Sequence, residues 1–388
     1  MSISKEVVQA LSSVLTFKDG LVPLHAPVFS GNELAYTKEC IDSTFVSSVG
    51  KFVDQFEKML AEYTGSKRAV AVTNGTAALH MALMLAGVKN DDEVIIPGLT
   101  FIATANAVAY IGAVPHIVDS EETTLGIDAS KLDRHLSEIA EVRSGECFNK
   151  QTGRRIAALV PMHVFGIPLD LDGLLALCEK FSIPMVEDAA EAIGSFYKGK
   201  HCGRFGKISS LSFNGNKTIT TGGGGAVLTD DDKLADLCKH MTTTAKIPHK
   251  WEYFHDMVGY NYRMPNINAA LGCAQMEKLD DILASKRKLA EAYATAFSTV
   301  KGVHFLTEPE GCKSNYWFNT IILEKGMEEE RDSVLEATNG ASYMTRPLWA
   351  AMHRLTMYEN CPRTDMSVAE SLEKRVINIP SGAGILGV

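Results

Sequence analysis

A positive charge balance is the first thing this 388-residue sequence lacks: 38 Lys and Arg face 47 Asp and Glu, for a formal charge of −9. A general nucleic-acid binder presents a basic face, so that class is not expected, although a local basic pocket for a phosphorylated small molecule is compatible with the balance. A metal- or disulfide-type arrangement of cysteines is missing too. Cys40, Cys147, Cys178, Cys202, Cys238, Cys273, Cys312 and Cys361 are scattered, with no CxxC pair. They read as reduced thiols of a cytoplasmic protein and imply no metal site. Nor is there a long uncharged apolar run. The longest, in AALHMALMLAGV, is interrupted by His80 and stops at Lys89, too short for a membrane span. The opening MSISKEVVQALSSVL has no basic stretch ahead of an apolar core and does not read as a signal peptide. The expectation is a soluble, cytoplasmic protein with neither a nucleic-acid nor a membrane partner.

What is present is an alternation. Short apolar segments at 69–73, 93–97, 114–119, 157–165, 184–189, 208–214 and 225–230 read as strands. Segments at 75–87, 101–112 and 171–182 read as helices between them. Such alternation predicts an α/β fold with a mostly parallel sheet covered on both faces. Ligands then bind at the carboxyl ends of the strands. Residues 267–300 have the composition of one long helix, and NYWFNTIILE (315–324) reads as a further strand. A boundary near 270–280 divides the chain into a large domain (46–275) and a small C-terminal domain (276–388). Residues 1–45 form an N-terminal segment expected to pack with the small one.

Three features carry chemistry. In VTNGTAALH the strand gives way to a helix at Gly75–Thr76, and the unpaired N–H groups of a helix start suit a phosphate. The bland alternative is an ordinary capped helix. In MVEDAAEA, Asp188 ends an apolar strand, where a carboxylate needs a partner. It can hold a protonated heterocyclic nitrogen or simply cap the next helix. In SLSFNGNKTITTGGGG, Lys217 stands ahead of four glycines, Gly222 to Gly225. It is either a solvated turn lysine or a nucleophile pressed against a ligand. Pyridoxal phosphate requires all three together: a lysine to bind it covalently, an acid at its ring nitrogen and a cup for its phosphate.

The span from GKFVDQFEKMLAEYTG through GYNYRMPNINAALGCAQ resembles the DegT/DnrJ/EryC1/StrS family of sugar aminotransferases. The blocks TNGTAALH, PGLTFIATANAV, VPMHVFGIPLDLDGL, VEDAAEAIGSFYKGK, LSFNGNKTITTGGGGAVLTDD and GYNYRMPNINAALG occur in the family's order. The resemblance implies a pyridoxal-phosphate enzyme of fold type I, the aspartate aminotransferase fold. It implies that Lys217 binds the cofactor covalently and is the catalytic residue. Asp188 would meet the pyridine nitrogen, Gly75, Thr76 and Ser212 the phosphate, and Phe101 the ring face. Asn261 would reach the phosphate from the neighbouring subunit, making a homodimer with shared active sites. Two positions depart from the family pattern. Glu191 stands where glutamine is usual, near the cofactor, and Gly223 replaces a glutamate. Family members that dehydrate sugars carry histidine at the lysine position, so Lys217 favours amino transfer.

The stretch VPLHAPVFSGNELAYTKECIDSTFVSSVGKFV resembles the LegC-like branch, which aminates UDP-linked 4-keto-6-deoxy-N-acetylhexosamines. The expected substrates are such a nucleotide sugar and glutamate as amino donor, used in a ping-pong mechanism. His163, Tyr260 and Arg263 are candidates for the sugar or nucleotide side, with His163 alternatively a satisfied core histidine. The rival functions are a pyridoxal-phosphate-dependent sugar dehydratase and a non-catalytic sensor on the same fold.

Overall fold

The computed structural model describes residues 2–15 and 20–386. Residues 1, 16–19, 387 and 388, parts of the expected N-terminal and small units, lie outside the described residues. Seven strands build the main sheet: β1 (Arg68–Val72), β2 (Glu93–Pro97), β3 (Val114–Val118), β4 (Arg155–Leu159), β5 (Val186–Asp188), β6 (Ile208–Ser212) and β7 (Gly225–Thr229). Hydrogen bonding joins β1-β7-β6-β5 and β3-β2-β4. Parallel bridges from Leu159 to Met185 and from Met162 to Asp188 bring the two groups side by side. The ladders β2/β3, β2/β4 and β5/β6 are parallel.

The expected parallel sheet is interrupted twice: at its edge Glu146–Asn149 pairs antiparallel with β4 and with Ala140–Arg143 beyond it, and inside it β7 is reversed. β7 runs antiparallel to both neighbours, pairing Val72 with Gly225 on one side and Ser212 with Gly225 on the other. Only twelve residues separate β6 from β7, and most of them form the Lys217 loop, so no crossover helix fits between them. β2, β6 and β7 are buried along their whole length, as expected of strands covered on both faces, although three of the five residues of β6 are serines.

Three expected elements are shorter or broken. The segment 157–165 stays beside the sheet past the end of β4: Val160 N donates to Ile95 O at 2.8 Å, and Pro161, which has no N–H of its own, accepts from Asp188 N at 2.9 Å. It then turns at Val164–Gly166, with Phe165 at φ 56°. The helix placed at 101–112 spans only Ala103–Tyr110, leaving Phe101 ahead of it with its ring half exposed. The long helix at 267–300 is two, Asn266–Met276 and Leu279–Phe297, separated at Lys278 (φ −108°, ψ 0°). The first is small-residue rich and buried on most sides. The second is amphipathic, so the break lets each present its own apolar face.

A second, antiparallel sheet follows in the order β8-β9-β11-β10: β8 (Val303–Phe305), β9 (Asn319–Leu323), β10 (Arg346–Pro347) and β11 (Val376–Ile379). The N-terminal helix Ile3–Val14 and the helices Leu279–Phe297 and Glu330–Gly340 pack around it. Val7, Leu11, Leu289, Tyr293, Ile321 and Val334 share one apolar cluster there. Each fully buried Val, Leu or Ile of that cluster contributes about 1.5–3 kcal/mol. The helix Glu33–Asp42 packs instead on Asn266–Met276. No helix among the described residues is long and apolar enough to cross a membrane.

Candidate active site

The carboxyl ends of β1, β5 and β6 converge on one cavity of about 610 Å³. Gly75, Thr76, Phe101, Asp188, Glu191, Ser212 and Lys217 all line it. Asn261 does not. It is exposed on its own chain, where its segment bridges to Thr243. His163, Tyr260 and Arg263 do not line the cavity either. His163 is fully buried and faces Glu187, with Nε2 3.2 Å from Oε1. Tyr260 stacks on Tyr262, and Arg263 lies 4.0 Å from Glu57.

The helix Gly75–Ala86 starts two residues after β1. Asn74 caps it, its Oδ1 accepting from Ala77 N at 2.8 Å. The N–H groups of Gly75 and Thr76 are first-turn donors, which have no acceptor within a helix. A Cβ on Gly75 would lie 2.7 Å from Ser212 Cβ, so only glycine lets the helix start meet β6 here. The glycine run has the same origin. A Cβ on Gly225 would lie 2.5 Å from the Asn74 carbonyl, whereas one on Gly223 would meet nothing closer than 3.8 Å. The family's glutamate position therefore has room for a side chain, and glycine there is not a steric demand.

Asp188 is buried at the tip of β5. Thr104 Oγ1 donates to its Oδ2 at 2.8 Å, and Ala190 N donates to Oδ1 at 3.2 Å. Burial pushes its pKa up, opposed by these hydrogen bonds and by the Lys217 charge. A cationic ring nitrogen placed against it would reverse that push. Beneath it, Glu187 accepts from the N–H groups of Gly203, Phe205 and Gly206. Burial alone would raise its pKa, but the bonds from His163, Gly203 and Gly206 outweigh burial and the net shift is downward.

Lys217 projects from the loop after β6. Its Nζ lies 3.2 Å from Glu191 Oε1 and 3.8 Å from the centroid of the Trp317 ring. The other Glu191 oxygen accepts from Phe165 N at 2.9 Å, a bond made by the left-handed turn at Phe165. Burial raises the Glu191 pKa to about 7, against the Lys217 charge and the Phe165 bond. Trp317 is itself held, donating Nε1–H to Asn216 O at 2.7 Å. Trp317, Arg346 and Trp349 belong to no motif recognised in the sequence; only their convergence on this cavity singles them out.

The donor set fits pyridoxal phosphate: a phosphate cradle that a Cβ at residue 75 would fill, a buried acid, and one lysine beside them. A mostly parallel sheet carrying these groups at its carboxyl ends, with a smaller antiparallel sheet beside it, defines a pyridoxal-phosphate-dependent transferase of fold type I. The chain belongs to the DegT/DnrJ/EryC1/StrS aminotransferase family, which it matches over residues 28–386. Among its relatives are GDP-perosamine synthases. That of Caulobacter vibrioides is 36% identical, covering 94% of each chain, and that of Escherichia coli O157:H7 is 38% identical, covering 93% of each. The aminotransferase TlmJ from Streptoalloteichus hindustanus superposes with a TM-score of 0.83 at 27% identity, over 93% of this chain and 94% of its own. Members of the family are pyridoxal-phosphate-dependent, and this chain is a nucleotide-sugar aminotransferase.

Proposed function

We propose that the protein transfers the amino group of glutamate to the C4 carbonyl of a UDP-linked 4-keto-6-deoxy-N-acetylhexosamine, in two half-reactions at one site. The observation that carries amino transfer is Lys217 Nζ, held between Glu191 and Trp317 in the same cavity as Asp188. Pyridoxal phosphate, when bound, supplies the electron sink for the reacting carbon. Asp188 keeps the ring nitrogen protonated. Gly75, Thr76 and Ser212 hold the phosphate, and Phe101 covers the ring. Lys217 Nζ holds and moves the proton at the reacting carbon. The UDP-linked sugar rests on the resemblance of residues 22–53 to the LegC-like branch. A GDP-linked sugar is the second reading, favoured by the names of the two relatives.

The working unit is a homodimer in the cytoplasm. Asn261 is exposed and lies outside its own cavity, and it serves the partner's phosphate site. The neighbouring hairpin supports such pairing: Trp251, Tyr253, Phe254 and Val258 are 70%, 79%, 65% and 80% exposed, an apolar surface that a second chain would cover. The large unit over 46–275 carries the cofactor, and the small unit over 276–388 closes the cavity with Trp317 and Arg346.

The test is product analysis. The purified protein is given UDP- or GDP-linked 4-keto-6-deoxy sugar, with and without glutamate, and the sugar is identified by mass spectrometry. A 4-amino sugar formed only with glutamate supports the proposal, and its nucleotide chooses between the readings. A dehydrated sugar, lighter by one water and formed by elimination without glutamate, would return the dehydratase, and binding without any turnover the sensor.

A further inference from the structure

Two cations line the cavity, Lys217 and Arg346. Lys217 has Glu191 at 3.2 Å. Arg346 has no carboxylate within ion-pair distance among the described residues, although Asp188 and Glu191 line the same cavity. It comes from β10, in the second sheet, far along the chain from every recognised motif. Its Nη1 donates to Thr345 O at 2.8 Å and to Asn339 Oδ1 at 3.3 Å. Asn339 is fixed in turn, donating from Nδ2 to Leu335 O and Thr345 Oγ1, each at 2.8 Å. One edge of the guanidinium is therefore pinned, which leaves its remaining N–H groups for a ligand. The adjoining walls are aromatic, from Phe101 and Trp349, which meet edge-to-face at 6.4 Å. A pinned guanidinium beside aromatic faces is suited to an oxyanion, which it binds through two parallel hydrogen bonds.

We propose that Arg346 is the substrate-anion residue of this cavity, oriented by Asn339. The inference rests on the aminotransfer reading, in which every substrate carries an anion: the amino donor a carboxylate, the nucleotide sugar a diphosphate. Both are oxyanions that a guanidinium binds, and they differ in which half-reaction they enter.

The experiment uses pyridoxal-phosphate-loaded wild type, Arg346→Gln and Arg346→Lys, with cofactor absorbance as the check that each variant has folded around its cofactor. In one arm L-glutamate alone is added and the change in cofactor absorbance is followed. In the other, UDP and GDP are titrated by calorimetry. A lost charged hydrogen bond predicts a rise of about 10- to 100-fold in half-saturating concentration for Arg346→Gln in one arm. Arg346→Lys keeps the charge, loses the fork and falls between. The glutamate arm responding assigns the donor carboxylate, and the nucleotide arm the diphosphate. Both arms of Arg346→Gln within about twofold of wild type would overturn the proposal. A wild type that binds nucleotide but ignores glutamate counts against the aminotransfer reading, while the nucleotide arm still decides Arg346. A wild type silent in both arms overturns both.

Discussion

Glu191 Oε1 and Lys217 Nζ stand 3.2 Å apart in a cavity that buries the carboxylate almost completely. The pair places a titratable acid beside the reactive amine, where a glutamine would give a neutral amide.

Replacing Lys217 with Ala is expected to abolish borohydride-trappable cofactor and to cut turnover at least about a thousandfold, since nucleophile and proton carrier are lost together. Peptide mapping after reduction checks the first and steady-state kinetics the second. Full turnover by the variant would refute the assignment of Lys217.

Glu191→Gln tests the buried acid in the cofactor-free protein. Burial lifts the Glu191 pKa from 4.5 to about 7. The folded state then binds more protons than the unfolded state between those values, so stability falls as pH rises through them. Glutamine has no such dependence. Thermal unfolding from pH 4.5 to 8 should show wild type losing ground to the variant up to about pH 7, then holding a constant gap. Parallel curves would mean that Glu191 does not titrate there.

Gly75→Ala would force a methyl group to 2.7 Å from Ser212 Cβ and part the helix start from β6. Overpacking of that kind predicts about 10- to 100-fold weaker pyridoxal phosphate binding. Adding Ser212→Gly removes the clashing atoms, so the double variant should bind better than the sum of the single losses predicts. Strict additivity in equilibrium titration would show that the clash is not the cause.

Lys286 is fully buried on the helix Leu279–Phe297, donating to His25 Nε2 at 3.1 Å, Trp317 O at 3.2 Å and Ser381 O at 2.6 Å. Burial lowers its pKa from 10.5 to about 7. Between those values the unfolded chain binds the extra proton, so its contribution to stability grows as pH rises from 7 and fades below it. Against Lys286→Met, wild type should therefore gain in melting temperature between pH 7 and 10. A pH-independent difference would place the lysine's titration elsewhere.

Much of the site was legible because its residues sit beside strand ends. Asp188 and the helix start at Gly75 each follow an apolar run, and Ser212 ends the strand that leads into the Lys217 loop. The misjudged segments were those whose local signal pointed one way and whose packing went another. The segment 157–165 reads as strand to its end, yet it turns at Val164–Gly166, where Phe165 takes a left-handed conformation and its N–H meets Glu191. The 267–300 segment is helical in composition throughout, yet its two halves bury different faces, and the break at Lys278 follows from that.

By itself the sequence determined the alternating α/β layout, the motif order that marks the family, and which lysine, acid and helix start to look for at the strand ends, because each depends on residue type at short range. Tertiary structure alone decided the rest. It brought Trp317, from the loop ahead of β9, and Arg346, from β10, into the cavity, and left His163, Tyr260 and Arg263 outside it. Those placements depend on which surfaces meet when two sheets pack, and that is a property of the whole chain that no local spacing encodes.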